Sequence, residues 1–198
     1  GRIKISINVE NGTVIQTMTM ENKMFKTDFI DITAYNINNL KPIYHSSNND
    51  QRLITIVYGD TINAVYKSTK DKIFKTYQNK IEKVKNYFDS SVYQTILRWL
   101  SLKEGYTQEF TIFNYDPNSE SGLMTFKITA VTTEKIVTKK SGIREVWKVT
   151  EQYGNTKLIT SHYIDKENRK LWRQDINGGK IIMEIEEWKW KSWKEINI

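Results

Sequence analysis

Two histidines, His45 and His162, are the residues best suited by type to move a proton or ligate a metal. Each is flanked by Tyr and Ser, and neither has a His or Glu at motif spacing. A zinc-type site needs such a second ligand, so no metal is expected, and a structural role is the simpler reading of both. Ser, His and Asp are all present, so residue order alone leaves a triad open, but no Gly-x-Ser-x-Gly elbow occurs. Glu184 and Glu186 would share one face of a strand, with Glu187 beside them. Paired carboxylates can do acid–base work on a glycan. These stand among lysines near the chain end, where a solvated face explains them more simply. No phosphate-cradling glycine loop is present, and no catalytic residue or cofactor is expected.

The last segment interleaves Trp188, Trp190 and Trp193 with Lys189, Lys191 and Lys194. As a strand it would put Trp188 and Trp190 on one face and Lys189 and Lys191 on the other. Such a ribbon suits surface contact with sugars or a lipid headgroup layer. Nucleic acid is the least favoured partner, because no recognition module accompanies the basic charge. The plain alternative is a closing strand whose Trp side chains cover the core.

The 198 residues are 38% hydrophobic and 12% aromatic, with two prolines, which suits a folded globular chain rather than a disordered one. A single domain over 1–198 is expected, with 188–198 a Trp/Lys-rich extension of the last strand. Cysteine is absent, which excludes disulfides, thiolate metal sites and cysteine nucleophiles. The net charge of +7 admits anionic partners, though lysines scattered along strand exteriors are more simply a solvated face. No apolar run is long enough for a membrane-spanning helix. Gly1-Arg2-Ile3 does not open a signal peptide, so an export leader was either never present or already removed.

What would position these residues is mostly strand. Ile3–Val9 and Thr13–Met20 alternate apolar and polar around Asn11-Gly12, the pair that accepts the positive φ of a tight hairpin turn. Further strands read at Phe29–Tyr35, Leu53–Tyr58, Thr61–Lys67, Gln108–Tyr115, Leu123–Thr132, Lys135–Thr138, Arg144–Thr150, Leu158–Ile164, Lys170–Ile176 and Lys180–Glu187. Ile73, Tyr77, Ile81, Val84 and Phe88 fall at helical spacing. Lys72–Tyr77 reads equally as a strand returning along Thr61–Lys67, and this reading is preferred. Tyr35–Pro42 also echoes Tyr163–Arg173: a strand end, a polar Asn/Asp turn, a Leu and a return strand. Any two hairpins share that outline, which is the simpler account.

One helix stands out, over Ser90–Leu102. Asp89 is a good N-cap, and Phe88 and Tyr93 then occupy the two staple positions. Gly105 is a plausible stop. Val92, Tyr93, Ile96, Leu97, Trp99 and Leu100 are apolar, against a narrow Gln94, Thr95, Arg98 stripe. That arc is wider than a helix on a flat sheet requires. It predicts a curved sheet wrapped around the helix, or a helix side facing a cavity.

Tyr87-Phe88-Asp89-Ser90-Ser91 leading into Leu97–Gly105, with Asn38-Asn39-Leu40-Lys41-Pro42 and Tyr163-Ile164-Asp165 before Leu171, resembles a bacterial family of unknown function, DUF3108. The resemblance runs from about residue 14 to residue 187. It implies kinship with the lipoprotein-carrier fold, and with it a periplasmic or outer-membrane-associated protein with a cleaved leader. It supplies no catalytic residues. The expected fold is mainly β: a strongly curved antiparallel sheet or half-barrel of about ten strands wrapped around one α-helix. The expected function is non-enzymatic, binding a lipid or other hydrophobic small molecule, with Phe88, Tyr93, Ile96, Leu97 and Leu100 as apolar lining. A structural or interaction protein with a filled core is the alternative, and a carboxylate hydrolase of an envelope polymer the least favoured. Oligomeric state is not legible.

Overall fold

The computed structural model describes residues 2–21, 27–80, 87–117, 121–154 and 156–185. Its strands are β1 (Arg2–Glu10), β2 (Thr13–Glu21), β3 (Phe29–Asn36), β4 (Pro42–Asn48), β5 (Arg52–Val57), β6 (Thr61–Ser68), β7 (Phe74–Lys80) and β8 (Tyr87–Asp89). A 3₁₀ turn (Ser90–Val92) leads into the helix α1 (Tyr93–Trp99). There follow β9 (Gln108–Asn114), β10 (Gly122–Thr138), β11 (Gly142–Tyr153), β12 (Ile159–Asp165), β13 (Leu171–Ile176) and β14 (Ile181–Glu184). The class is mainly β with one short helix, as the sequence predicts. The strands divide between two seven-stranded sheets, β1 to β7 and β8 to β14, each in chain order.

Local chemistry accounts for the turns. Asn11 (φ 48°) and Gly12 (φ 76°) both take the left-handed conformation that a two-residue hairpin needs, and nine unbroken β1–β2 pairs follow. The ambiguous segment after Lys70-Asp71 is strand: β7 pairs with β6 from Thr61↔Lys80 to Lys67↔Phe74. Ile81 and Val84 lie outside the described residues. The two runs expected at Leu123–Thr132 and Lys135–Thr138 are one strand, β10, with a register shift between Ile128 and Ala130. Among the described residues β8 runs parallel to β9. Parallel neighbours need a long crossover, usually helical, and that is the place α1 occupies in the chain. The helix is shorter than Ser90–Leu102, and Trp99 at its end is 52% exposed while Thr95 is buried.

By compactness the chain divides into two units, Gly1–Gln94 with Phe110–Thr125, and Thr95–Glu109 with Phe126–Ile198. The first has a core of Ile54, Ile56, Tyr58, Ile62, Ala64, Tyr66, Tyr87 and Phe113, with the Tyr58 and Phe113 rings edge to face at 5.7 Å. In the second, Val146, Tyr163 and Trp172 pack together, with Ile136 against them.

The echo between Tyr35–Pro42 and Tyr163–Arg173 goes deeper than two hairpins require. Leu40 N–H donates to the Asn36 carbonyl and Asn36 N–H to the Lys41 carbonyl. Arg169 N–H likewise donates to the Asp165 carbonyl and Asp165 N–H to the Lys170 carbonyl. The Asn36 side chain accepts from Asn38 N–H, as Asp165 accepts from Glu167 N–H. Leu40 (φ 58°) and Arg169 (φ 61°) share the left-handed conformation. The register shifts at Ala34/Tyr35 in one and at Tyr163/Ile164 in the other. Ile37 N–H reaches the Gly12 carbonyl, and Lys166 N–H the Glu145 carbonyl. The meanders β2–β5 and β11–β14 follow one plan.

Candidate functional site

Among the described residues a dense cluster of reactive side chains lies in the first unit, around His45. β3 and β4 carry it with their alternation inverted. Asp31, Thr33 and Tyr35 are buried while Ile30 is exposed, and His45 and Ser47 are buried while Ile43 is exposed. Thr33 and His45 face each other in register. Asp89 closes the cluster from the end of β8, as the N-cap predicted for it, and accepts from Ser91 N–H at 2.8 Å.

Both nitrogens of the His45 ring meet carboxylates. Nδ1 is 3.1 Å from Asp89 Oδ1, and Nε2 is 3.4 Å from Asp31 Oδ2. Burial by itself would push the His45 pKa down, but the Asp89 charge and hydrogen bond, with Asp31 behind them, raise it. Burial would likewise raise Asp89; the His45 charge and the bonds from His45, Ser91 and Tyr58 hold it below its ordinary value. Asp31 is raised, because burial and the Asp89 charge outweigh His45. Tyr58 donates its hydroxyl to Asp89 Oδ2 and, buried beside that charge, keeps its proton far above the usual phenol range. Ser91 donates its hydroxyl to Asp89 Oδ1 at 2.6 Å, and its oxygen lies 2.5 Å from Thr33 Oγ1.

Ser, His and Asp are therefore together, yet the arrangement is not a nucleophilic triad. A triad puts serine on one ring nitrogen and the carboxylate on the other, with a neutral ring to take the serine proton. Here Asp89 holds Nδ1, Ser91 Oγ is 3.4 Å from that same atom, and the serine proton goes to Asp89. An imidazolium between two carboxylates is a buried ion network, and removing one member leaves a charge without its partner.

This network sets a pH dependence. His45 holds its proton more tightly folded than unfolded. Its contribution is complete below its ordinary pKa of 6.5 and drains as pH rises through the raised folded value. Asp89 contributes fully above its ordinary 3.8 and loses that contribution as pH falls through its lowered value. Asp31 opposes Asp89, because protonation relieves its burial. His45→Gln is expected to flatten the stability loss above pH 6.5. Urea midpoints from about pH 6 to about pH 9 measure it, and an unchanged alkaline slope would contradict the assignment.

The second unit has its own buried polar groups. His162 is wholly buried, with Nδ1 2.9 Å from Gln174 Nε2 and Nε2 3.0 Å from Glu151 Oε1. His162 and Gln174 face each other across β12 and β13 at the places that Thr33 and His45 take in the first meander. Asp165 accepts from Trp172 Nε1 at 2.8 Å, Glu167 N–H at 2.9 Å and Asn168 N–H at 3.1 Å. Burial would raise its pKa, but these bonds and the Arg144 charge lower it. Among the described residues, no group of three His, Cys, Asp or Glu is placed to hold a metal ion.

The predicted lining residues are placed as follows. In the first unit, Phe88 is half-buried with its ring against Phe110, and half-buried Tyr93 accepts from Gln94 Nε2 at 3.3 Å. In the second unit, Ile96 and Leu97 are buried and Leu100 is half-buried. Arg98, part of the narrow stripe opposite the apolar side of the helix, donates from Nε to the Arg169 carbonyl at 2.7 Å. Two open surface pockets among the described residues lie elsewhere. One is lined by Arg52, Asn114 and Tyr115–Pro117, the other by β10 residues with Tyr163, Trp172, Arg173, Glu184 and Ile185. Glu184 pairs with Lys139 at 3.3 Å. Glu186, Glu187, Trp188, Trp190 and Trp193 lie outside the described residues.

The sequence missed an open apolar row on β1. Ile3, Ile5, Ile7 and Val9 share one face and are 41–53% exposed. They stand opposite Met20, Met18, Gln16 and Val14 on β2, of which Gln16 and Val14 are buried. The face that forms the core thus runs on to an uncovered strand.

Comparison with known families matches residues 1–186 to the family described as "Protein of unknown function (DUF3108)". The match includes β1, ahead of the span expected from the motifs. No curated protein and no solved structure matches the chain.

Proposed function

Since the chain belongs to the DUF3108 family, whose activity is unassigned, we propose from its own geometry that it is a non-enzymatic protein of the bacterial cell envelope that binds an amphipathic, lipid-like molecule. The observation that carries this reading is the open row Ile3, Ile5, Ile7, Val9 continuing the core face of the first sheet. Contiguous exposed apolar surface marks a membrane, ligand or partner site. A net charge of +7 favours an anionic headgroup over a neutral one. The His45 network supports a non-enzymatic role, since its donors and acceptors are spent on one another. Kinship with the lipoprotein-carrier fold and a periplasmic or outer-membrane address belong to the same proposal.

A structural or interaction protein with a filled core is the second reading, favoured by the burial of Ile96 (4% exposed) and Leu97 (1%). Sedimentation with phosphatidylglycerol vesicles, against phosphatidylcholine vesicles, separates the two. Binding to the anionic vesicles should fall at least about tenfold in an Ile5→Gln/Ile7→Gln variant, which leaves the net charge unchanged, as two side chains worth roughly 1.5–3 kcal/mol each are lost from the contact. Protein that purifies free of lipid and ignores both vesicles would leave the second reading standing.

A further inference from the structure

We propose that this protein pairs with a second copy of itself through the free edge of β1, in antiparallel register centred on Ser6. This concerns the strand's edge rather than its apolar face, and does not depend on the ligand reading.

Among the described residues the two sheets end on four strands: β1, β7, β8 and β14. β8 has three residues and β14 four. β7 has seven, and Lys75 on it is tied to the Pro117 carbonyl. β1 has nine, all exposed, with no proline and no register shift along its pairing with β2. Sheets ordinarily protect an edge by shortening, bulging, covering or charging it, and among the described residues β1 shows only the last, at Arg2, Lys4 and Glu10.

The direction of its free backbone groups follows from its turn. In a two-residue hairpin the residues flanking the loop, here Glu10 and Thr13, form a close hydrogen-bonded pair. Alternation then turns the N–H and C=O groups of Ile3, Ile5, Ile7 and Val9 outward. Val9 shows this: its N–H is taken by the neighbouring Asn8 side chain at 3.0 Å, not by β2.

The strand is complementary to itself. With Ser6 facing Ser6 of the second copy, Arg2 meets Glu10, Ile3 meets Val9, Lys4 meets Asn8 and Ile5 meets Ile7. No like charges are opposed, opposite charges meet at both ends, and the two apolar rows fall on the same face. All nine residues pair, whereas a shift in either direction that preserves the faces leaves two at each end unpaired. The outward groups of the four odd residues then form about eight backbone hydrogen bonds, the Val9 N–H exchanging the Asn8 side chain for the second copy. Ser6 falls on the two-fold axis, in a pair without such bonds, where Cα atoms approach to about 4.5 Å.

The absence of cysteine makes this testable by single thiols. Ser6→Cys under mild oxidation should give a disulfide-linked dimer in high yield, because that spacing lies within disulfide geometry. Asn8→Cys, on the same outer face, should stay unlinked, since its twin would lie about 13 Å away along the strand. Unmodified protein should sediment at twice the 23.4 kDa chain mass. Ile5→Lys should weaken dimerisation at least about tenfold with an unchanged circular dichroism spectrum. A monomer at all concentrations, a dimer in which Ser6→Cys does not link, or equal linking by Asn8→Cys would each overturn the proposal.

Discussion

Replacing Asp89 with Ala is expected to lower unfolding stability by about 3–5 kcal/mol, the largest effect of any single substitution outside the apolar core. Asp89 is 1% exposed and is the common acceptor for the Ser91 amide, the Ser91 hydroxyl, the Tyr58 hydroxyl and His45. Its loss leaves the His45 imidazolium with the more distant Asp31 alone, removes the cap of the 3₁₀ turn and leaves a buried phenol without its acceptor. Asp89→Asn keeps the shape and part of the cap, and should fall between. The urea midpoint reports the change, and the double variant with His45→Gln separates its parts. Coupling of about 1–3 kcal/mol between the two sites is expected, because each substitution alone leaves the other group without its nearest opposite charge. A loss below about 1 kcal/mol in Asp89→Ala would mean that the network is not closed in solution.

The second large effect is expected at Asp165. Asp165→Ala removes the acceptor for the Trp172 indole and for two turn amides, and should cost about 2–4 kcal/mol. Trp172 is 4% exposed, so its N–H is largely withdrawn from water and depends on that acceptor. Trp172→Phe removes the indole N–H together with its need for an acceptor. In that background Asp165→Ala should cost visibly less. Equal cost in both backgrounds would place the whole role of Asp165 in the turn. Tryptophan fluorescence alongside denaturant midpoints follows both variants.

The elements with strong local chemistry were legible in the sequence. Asn11-Gly12 names its hairpin, and Asp89 its cap, by residue type and position alone. The mainly-β class followed from the alternation. The site around His45 was hidden for a physical reason. In β3 and β4 the polar members of the alternation face inward, while Ile30 and Ile43 are left exposed. A rule that sends apolar residues to the core points these strands the wrong way, and β4, headed by Pro42 and ending in Ser46-Ser47-Asn48, reads as loop. The available signal was register: Asp31 and Thr33 alternate, as do His45 and Ser47, and the two sets face each other once the hairpin is drawn. The broad apolar side of the helix overstated its burial at Trp99. The division into two sheets has no local signature, because it depends on which strands fail to pair.

The strict chain order of the strands has a kinetic consequence. Every antiparallel pairing joins strands consecutive in the sequence, so little entropy is spent in closing each loop, and each hairpin can form when its own residues are available. The first sheet can therefore zip from β1 to β7 during synthesis without waiting for the rest of the chain. The parallel β8–β9 pair is the exception, since it must close over residues 90–107. Pulse-labelled hydrogen exchange during refolding should find the β1–β6 amides protected before those of Phe113 and its neighbours. Asp89, held at the end of that late pair, then makes the His45 network a closing event of assembly rather than a nucleus for it.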